Sequence, residues 1–409
     1  MRVLIFSQYF WPESFRINEV TRSLLDKGIR VDVLTGKPNY PRGTIFDGYR
    51  AAGCQQETWQ GVEINRIPLL PRNRGGMHLM LNYLSFIFSG LLFGPWVLRR
   101  KRFDVIFVYA PSPILQAIPA IFLGWLLGCR VVLWVQDLWP ESLSATGYVR
   151  NRWALKVVEW VVRFIYRHSD LLLVQSRAFV APVRALAADT PIEYYPNSVD
   201  DSFALPAKGE LPVVDGLDEG FSVMFAGNIG TAQAVEVIVE AARLLKEQSD
   251  IHFVVLGEGS RWQWMHQQAL KLGLNNLHLP GRFPVETMPG FLQKASALLV
   301  TLADQEIFKA TIPSKVQAYL AAGRPILACL NGEGANLVSA AEAGLAVPAE
   351  DAKALAAAVM ELYRMPPQAR EAMGARGRLY YTQHFAHEML VDQLTMHLLS
   401  LCDHKMRAK

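Results

Sequence analysis

The residues with the clearest chemical potential begin a predicted helix in the stretch IPSKVQAYLAAGRP, at 312–325. Pro313 fits the first helical turn, where its missing N–H loses no hydrogen bond. Ser314 and Lys315 follow, at the end where unpaired N–H groups and the positive end of the helix dipole point outward. Because Lys315 adds a full positive charge, the arrangement favours an anion, and a diphosphate in particular. The alternative is an ordinary capped helix with an exposed lysine.

Three glycine-containing turns follow strand-like apolar stretches in the same half of the chain, namely FAGNIG, LGEG and PGRFP at 225–230, 256–259 and 280–284. Glycine lets the backbone approach a phosphate closely, and we expect the three turns to share one sheet edge and bind a nucleotide. Tight packing is the alternative reason for each turn. The candidate residues are Gly227, Asn228, Gly230, Gly257, Gly281 and Arg282.

In the first half of the chain, QDLWPES at 136–142 follows the apolar stretch VVLWV. This order predicts that Gln136 and Asp137 lie at the carboxyl end of a strand and face a cleft. Asp137 could then order a sugar hydroxyl or act as a base, or it could only cap the next turn. FWPE at 10–13 lacks the glycines of a nicotinamide-binding turn, which disfavours a dinucleotide oxidoreductase.

Polar residues in and near these motifs are predicted to bind an acceptor. They are Glu13, Arg16, Gln136, Glu141 and Asn197. Glu13 and Arg16 could instead form a local ion pair that contributes little. Asn197 lies in YPNSVD, a turn-like stretch at 195–200 from which it could reach the same cleft.

Composition and missing motifs exclude several classes of protein. The 41 basic and 37 acidic residues leave a formal charge of +4, too small to predict a nucleic-acid partner. The four cysteines lie far apart without metal-ligand spacing, so we expect free thiols in a reducing cytosol. No HExxH, GxSxG, P-loop or metal-binding DxD motif is present, and we expect neither a metal nor another cofactor. The opening MRVLIFSQYF does not resemble a signal peptide, which favours the cytoplasm.

Two sheets are needed to position these motifs. Residues 2–35 read as strand, helix and strand, and a second such unit begins at 222, after the Gly- and Pro-rich stretch 205–220. The predicted fold class is α/β, with two doubly wound Rossmann-like domains facing a cleft formed by the carboxyl ends of both sheets. We predict domains at 1–204 and 205–379, followed by a C-terminal helical segment at 380–409.

The apolar segment 79–98 is long enough to cross a ~30 Å hydrocarbon layer. A single crossing would separate the strands 2–6 and 105–109, which should share one sheet, so we do not expect a span. The segment could lie in a membrane interface, with Tyr83 and Trp96 near the headgroups, or it could be a buried helix. Basic residues flank it within 72–102, namely Arg72, Arg74, Arg99, Arg100, Lys101 and Arg102.

Taken in order, FWPE, QDLWPES, YPNSVD, FAGNIG, LGEG, PGRFP and IPSKVQAYLAAGRP resemble the motifs of the GT-B glycosyltransferases of family 4. The resemblance covers nearly the whole chain. It is closest to the bacterial cell-surface polysaccharide branch, the WbuB-type enzymes similar to N-acetyl-L-fucosamine transferases of O-antigen and capsule assembly.

The resemblance implies a metal-independent, retaining transfer from a nucleotide diphosphate sugar, for which we expect UDP, to a glycan on a polyprenyl diphosphate. The enzyme would work at the inner face of the cytoplasmic membrane. The donor would lie mainly on the C-terminal domain, and the final helices, at about 380–402, would cross back to the N-terminal one. Asp137, Arg282 and Lys315 are the catalytic candidates, and the N–H groups of 227–230 and of Ser314 would help to stabilise the leaving diphosphate.

The sequence departs from the family at two places. Where the family carries a pair of glutamates that bind the donor, this chain has Ala310 and Ala318, which cannot accept a hydrogen bond from their side chains. Where members often carry a histidine, it has Gln136. The nearest candidates to replace the glutamates are Glu306, Lys309 and Gln317, and with Ser314 they complete the predicted donor site.

Two other functions remain open. A sugar-nucleotide epimerase of the same fold would act on soluble substrates and would not need the aromatic and basic segment 72–102. A non-catalytic subunit that binds sugar nucleotides is conceivable because both glutamates are missing.

Overall fold

A computed structural model describes residues 1–73, 75–145, 151–199, 201–205, 209 and 211–407. Arg74, one of the basic residues within 72–102, and Asp200, the last residue of YPNSVD, lie outside these ranges. The chain divides into unit 1, which comprises Met1–Pro196 and Leu390–Lys409, and unit 2, which comprises Asn197–Met389. The sequence predicts these two divisions after 204 and after 379.

Unit 1 contains a sheet of eight described strands. They are β1 (Arg2–Ser7), β2 (Arg30–Thr35), β3 (Gln55–Trp59), β4 (Val62–Arg66), β5 (Val105–Ala110), β6 (Arg130–Val135), β7 (Leu171–Val174) and β8 (Ile192–Tyr194). Their order is β3-β4-β2-β1-β5-β6-β7-β8, and the β3–β4 pair is antiparallel while the other pairs are parallel. The inner strands read as continuous apolar runs because helices cover both faces of the sheet, and β5 is buried along its whole length.

The helices of unit 1 connect these strands. They are α1 (Arg16–Asp26), α2 (Gly76–Leu98), α3 (Ala117–Leu127), α4 (Glu141–Ala145), α5 (Arg152–Arg167) and α6 (Val180–Ala187). The crossovers through α2, α3, α5 and α6 run in one direction along the strand order, and the crossover through α1 runs in the other. Since such crossovers are right-handed, the first four helices share one face of the sheet and α1 lies on the other.

The helix α2 includes the apolar segment 79–98 and is, among the described helices, long and apolar enough to span a membrane. The strands β4 and β5, directly before and after it, nevertheless belong to one sheet. One side of α2 packs closely on α3, because a Cβ added at Gly90 would lie 2.7 Å from Pro119 Cβ and one at Gly94 would lie 3.1 Å from Leu123 Cδ1.

Unit 2 contains a second parallel sheet, of six described strands. They are β9 (Phe221–Ala226), β10 (Ile251–Leu256), β11 (Leu277–Gly281), β12 (Ala297–Thr301), β13 (Ile326–Cys329) and β14 (Gly344–Val347), and their order is β11-β10-β9-β12-β13-β14. From β9 the chain continues through β10 to β11 at one edge of the sheet, and from β12 it continues through β13 to β14 at the other edge. Side chains alternate along β9, so that Met224 enters one apolar core and Phe225 the other, and the sheet lies between the two. Both sheets are doubly wound, which confirms the predicted fold class of two Rossmann-like α/β domains.

The helices of unit 2 are α7 (Glu236–Leu244), α8 (Trp262–Leu272), α9 (Met288–Lys294), α10 (Glu306–Lys309), α11 (Ser314–Ala322), α12 (Glu333–Ala340), α13 (Ala352–Arg364) and α14 (Pro367–His384). The last helix, α15 (His387–Arg407), begins in unit 2 and then packs on unit 1. Asp392 of α15 forms an ion pair of 2.5 Å with Lys27, and Gln393 donates a hydrogen bond to the carbonyl of Tyr194.

Candidate functional site

The reversal of strand order between β9 and β12 predicts where a ligand binds in unit 2. In open α/β sheets, ligands lie beyond the carboxyl ends of the strands, at the point where the order reverses. The predicted glycine turns follow β9 and β10, and the third contains the end of β11. The helix α11, which contains Lys315, precedes β13. It lies beside the end of β9, because Tyr319 Oη of α11 accepts a hydrogen bond from Ala226 N at 3.1 Å.

Hydrogen bonds join the three glycine turns to one another. Gly227 N donates to Leu256 O at 2.8 Å, and Ile229 N donates to Glu258 O at 2.9 Å. Gly257 N donates in turn to Gly281 O, at 2.8 Å. The turns therefore share one sheet edge, as the sequence predicts.

Close packing of the backbone requires glycine at two positions in these turns. A Cβ at Gly257 would overlap the carbonyl oxygen of Gly227, and one at Gly259 would overlap the carbonyl oxygen of Ile229. Gly257 has a φ of 144°, in a region that side chains disfavour. Tight packing therefore does account for these glycines.

One expectation about this edge is wrong. The sequence predicts that the N–H groups of 227–230 point at a diphosphate, but three of the four already donate within the protein. Besides the two bonds of Gly227 and Ile229, Gly230 N donates to Gln233 Oε1 at 3.2 Å, and this oxygen also accepts from Asn228 Nδ2 at 3.1 Å. Gln233 thus holds the first turn in shape, a role the sequence does not indicate.

Lys315 points back into the sheet edge. Its Nζ lies 3.5 Å from the centroid of the Phe225 ring, and a Cβ added at Gly227 would lie 2.6 Å from Lys315 Cε. Nζ is enclosed, and the described residues offer it no hydrogen-bond partner. Burial lowers the pKa of Lys315 to about 7. Part of the ammonium's lost hydration is offset by the negative face of the aromatic ring.

A cavity of about 360 Å³ lies beside these turns. Its lining combines the predicted Gly227, Asn228, Gly257 and Arg282 with Glu258 and with four apolar residues that are not among the predicted site residues, namely Leu256, Phe283, Val285 and Met288. This volume is at the small end for ligand sites. An apolar wall suits the flat face of a nucleobase, and the Arg282 side chain at its rim is exposed.

The residues expected to replace the missing glutamates do not line this cavity. Glu306 is exposed and pairs with Lys309 at 2.5 Å, and Lys309 also lies 3.4 Å from Asp304. Gln317 is buried within α11, at 2% exposure. The pair of Glu306 and Lys309 is accessible, whereas Gln317 would have to move to contact a ligand.

In unit 1, Gln136 and Asp137 follow β6, at the carboxyl end of the strand as predicted. Gln175 Nε2 donates to Gln136 O at 2.8 Å, which ties the ends of β6 and β7 together. Ser142 Oγ donates to Asp137, and burial of Asp137 raises its pKa. Asp137 is therefore linked to the first turn of α4 through the Ser142 side chain. Glu141, the first residue of α4, is exposed.

Glu13 joins two loops instead of facing an open site. Its Oε1 accepts from Asn39 N and Tyr40 N at 2.8 and 2.7 Å, and its Oε2 accepts from Phe10 N at 3.3 Å. The side chain is 2% exposed, and burial raises its pKa to about 7 in spite of these three donors. The prediction that Glu13 contacts an acceptor is not met, because the backbone occupies both oxygens.

Arg16 and Asn197 are the remaining residues predicted to bind the acceptor. Arg16 forms its ion pair with Glu19, one turn further along α1, so the alternative pair of Glu13 and Arg16 is wrong. Asn197 is the first residue of unit 2.

A buried polar network at the end of β1 was not found from the sequence. Gln8 N donates to Gln116 Oε1 and Gln8 Nε2 donates to Asn82 Oδ1, both at 2.7 Å. Asn82 Nδ2 donates to Leu70 O at 2.6 Å. The network fixes α2 to the sheet, and no short motif marks its members.

Comparison with known proteins assigns both halves of the chain to related families. Residues 14–198 match the family described as "Glycosyl transferase 4-like domain", and residues 220–365 match the family "Glycosyl transferases group 1".

Two curated relatives and one solved structure are similar over most of the chain. "Putative colanic acid biosynthesis glycosyl transferase WcaI" of Escherichia coli (strain K12) is 25% identical over 353 residues, which are 79% of this chain and 82% of that protein. "Probable glycosyltransferase WbjE" of Pseudomonas aeruginosa is 27% identical over 307 residues, 73% of this chain and 75% of that one. The structure of HepE of Anabaena in complex with UDP matches with a TM-score of 0.70, 12% identity and coverage of 98% and 100%, which shows a shared fold.

Proposed function

Because the chain belongs to the GT-B glycosyltransferases, we propose that it transfers a sugar, with retention, from a UDP-sugar to a glycan carried on a polyprenyl diphosphate. The sugar is N-acetyl-L-fucosamine or a related N-acetylated hexose. The reaction takes place at the inner face of the cytoplasmic membrane, in the assembly of an O-antigen, capsule or exopolysaccharide.

The single observation that carries the donor assignment is the enclosed Lys315 ammonium beside Gly227. A buried cation without a hydrogen-bond partner is unfavourable unless an anion completes its surroundings. Lys315 also belongs to the first turn of α11, where the helix dipole favours negative charge. The diphosphate of a sugar nucleotide supplies that charge, and the cavity lined by Phe283 and Met288 would receive its base.

Lys315 would stabilise the transition state more than the bound donor. When the bond from sugar C1 to the diphosphate oxygen breaks, negative charge builds up on the leaving group, and a cation fixed at that place stabilises it. We propose front-face attack, in which the acceptor hydroxyl bonds to C1 and passes its proton to the departing phosphate oxygen. A covalent glycosyl-enzyme trapped on Asp137 or Glu306 would contradict this mechanism.

Two of the similar proteins support the finer parts of the proposal. HepE was solved with UDP, which supports a uridine nucleotide as the donor group. The name of WcaI refers to colanic acid, which supports a role in polysaccharide assembly.

The test is to incubate the purified protein with a panel of UDP-sugars, with and without lipid extract of membranes, and to follow UDP release and labelled lipid. Release that depends on the extract, with sugar in the lipid fraction, supports the proposal. Conversion of the sugar nucleotide to an epimer without the extract would favour an epimerase. UDP binding without turnover under any condition would favour a non-catalytic subunit. Lys315→Met serves as the inactive reference.

A further inference from the structure

The outer sides of α2, α3 and α5 expose an unusual set of large apolar side chains. We call this surface the three-helix face. Its members include Phe88, Leu92, Trp96, Trp125, Trp153 and Trp160, each more than half exposed. Large exposed patches of apolar side chains mark surfaces that contact a protein or a membrane.

The three helices form one continuous layer. The right-handed crossovers place α2, α3 and α5 on the same face of the sheet. Gly90 and Gly94 bring α2 against α3. Trp125 of α3 packs edge-on against Phe164 of α5 and against His168, directly after α5, with ring centroids 6.2 and 5.5 Å apart. The exposed side chains therefore belong to a single surface.

Each helix has an inner side that is already occupied. Phe86 of α2 is buried and lies 5.5 Å, centroid to centroid, from Phe6 of β1. Val162 and Ile165 of α5 are fully buried. Since the inner sides are packed on the sheet, and β4 and β5 hold both ends of α2 to that sheet, the outer sides can lie along a membrane but α2 cannot cross it alone.

The charged side chains of this surface are predominantly basic. Neither α2 nor α3 contains an acidic residue, and Glu159, the acidic residue of α5, is neutralised by Arg163 at 2.8 Å. Two exposed tryptophans carry cations on their rings, with Arg99 lying 5.2 Å from Trp96 and Lys156 5.2 Å from Trp153. Tryptophan is enriched where membrane proteins meet the lipid headgroups, and Arg or Lys beside it can contact the lipid phosphates.

We propose that the three-helix face docks on an anionic lipid bilayer, with its tryptophans at the level of the headgroups and its cations on the lipid phosphates. Positive charge and exposed apolar area complement such a surface together. This proposal rests on the proposed function, because an enzyme docked on the bilayer could reach an acceptor that is held there by its polyprenyl chain. It adds α3 and α5 to the segment 72–102 that the sequence indicates.

The test is flotation of the full chain, without donor, on vesicles of phosphatidylcholine alone or with about 30% phosphatidylglycerol. The variant Trp153→Ser/Trp160→Ser changes α5 outside the segment 72–102. We expect the wild type to bind the anionic vesicles, more weakly at high salt, and the variant to bind at least roughly tenfold more weakly. Leu270→Ser/Met396→Ser is the matched control, because it removes two exposed apolar side chains elsewhere and should bind as the wild type.

The outcomes separate lipid docking from self-association and from misfolding of the variant. Absence of binding to anionic vesicles, or equal binding by the variant, overturns the proposal. A concentration-dependent dimer that the variant abolishes, without vesicle binding, would assign the face to a second copy of the chain. Thermal unfolding of the same preparations checks that the variant is folded. Calorimetry with UDP shows separately whether the donor site works, so failure of the proposed function would not affect the interpretation of the vesicle result.

Discussion

Lys315 Nζ lies 3.5 Å from the centroid of the Phe225 ring, at the carboxyl end of β9. This relationship places the enclosed Lys315 amine at the reversal point of the sheet, beside the glycine turns. Three of the four N–H groups of 227–230 already donate within the protein, so Lys315 carries more of the proposed diphosphate contact than the sequence suggests.

Replacing Lys315 by Ala should reduce turnover by about 10²- to 10³-fold, since one charge-stabilising donor of a transition state typically contributes ~3 to 4 kcal/mol. The measurement is kcat with saturating UDP-sugar. Lys271→Ala removes an exposed lysine from the last turn of α8 and serves as the control, with kcat expected to be unchanged. Equal kcat for the two variants would exclude Lys315 from the chemistry.

Replacing Gly257 by Ala should separate the first two glycine turns, because the new Cβ would overlap Gly227 O. We expect loss of UDP binding in calorimetry and a lower unfolding temperature. Gly48→Ala is the matched control. Gly48 has a φ of 84° but open space around it, so only backbone strain of about 1 kcal/mol is added. If UDP bound equally well to both variants, the close approach of the turns would not matter for binding.

Replacing Tyr319 by Phe should destabilise unit 2 by about 1 kcal/mol, because the half-buried N–H of Ala226 loses its acceptor. The measurement is urea unfolding. In Tyr363→Phe, the lost partner is Asp250 on the surface, and we expect a change within about 0.5 kcal/mol. A cost for Tyr319→Phe as small as that of the control would show that Tyr319 does not hold β9 to α11.

Glu13 should make the stability of the chain depend on pH. Burial raises the pKa of the folded carboxyl to about 7, from an ordinary value of 4.5. Between these values the folded state binds more protons than the unfolded state, so the stability that Glu13 contributes is present below about pH 4.5 and is lost as the pH rises through 7. Compared with Glu13→Gln, the wild type should lose unfolding free energy from about pH 5 to pH 8. A constant difference between the two proteins would contradict this.

The sheet architecture could be predicted because it is determined by local sequence patterns. Apolar runs such as VVLWV, each followed by a turn and a helix, require a parallel sheet covered on both faces. The position of Lys315 in the first turn of a helix followed equally from Pro313 and from the stop at Gly323. These are features of one short stretch of sequence.

What could not be predicted depends on contacts between distant stretches. Phe225 lies beside Lys315 only because folding brings β9 and α11 together. Glu13 has the composition of a site residue, but its partners Asn39 and Tyr40 lie in another loop. The exposure of Trp153 and Trp160 depends on which side of α5 the sheet covers.

The central claim is that Lys315 receives the diphosphate, and calorimetric titration of UDP at about pH 8, in buffers of different ionisation enthalpy, tests it most directly. With a pKa of about 7, the free lysine is mostly neutral at this pH, and an adjoining diphosphate must raise its pKa. The account predicts uptake of about one proton per UDP bound by the wild type, no such uptake by Lys315→Met, and affinity at least tenfold weaker in that variant. Binding by Lys315→Met with the same affinity and the same proton uptake would contradict it.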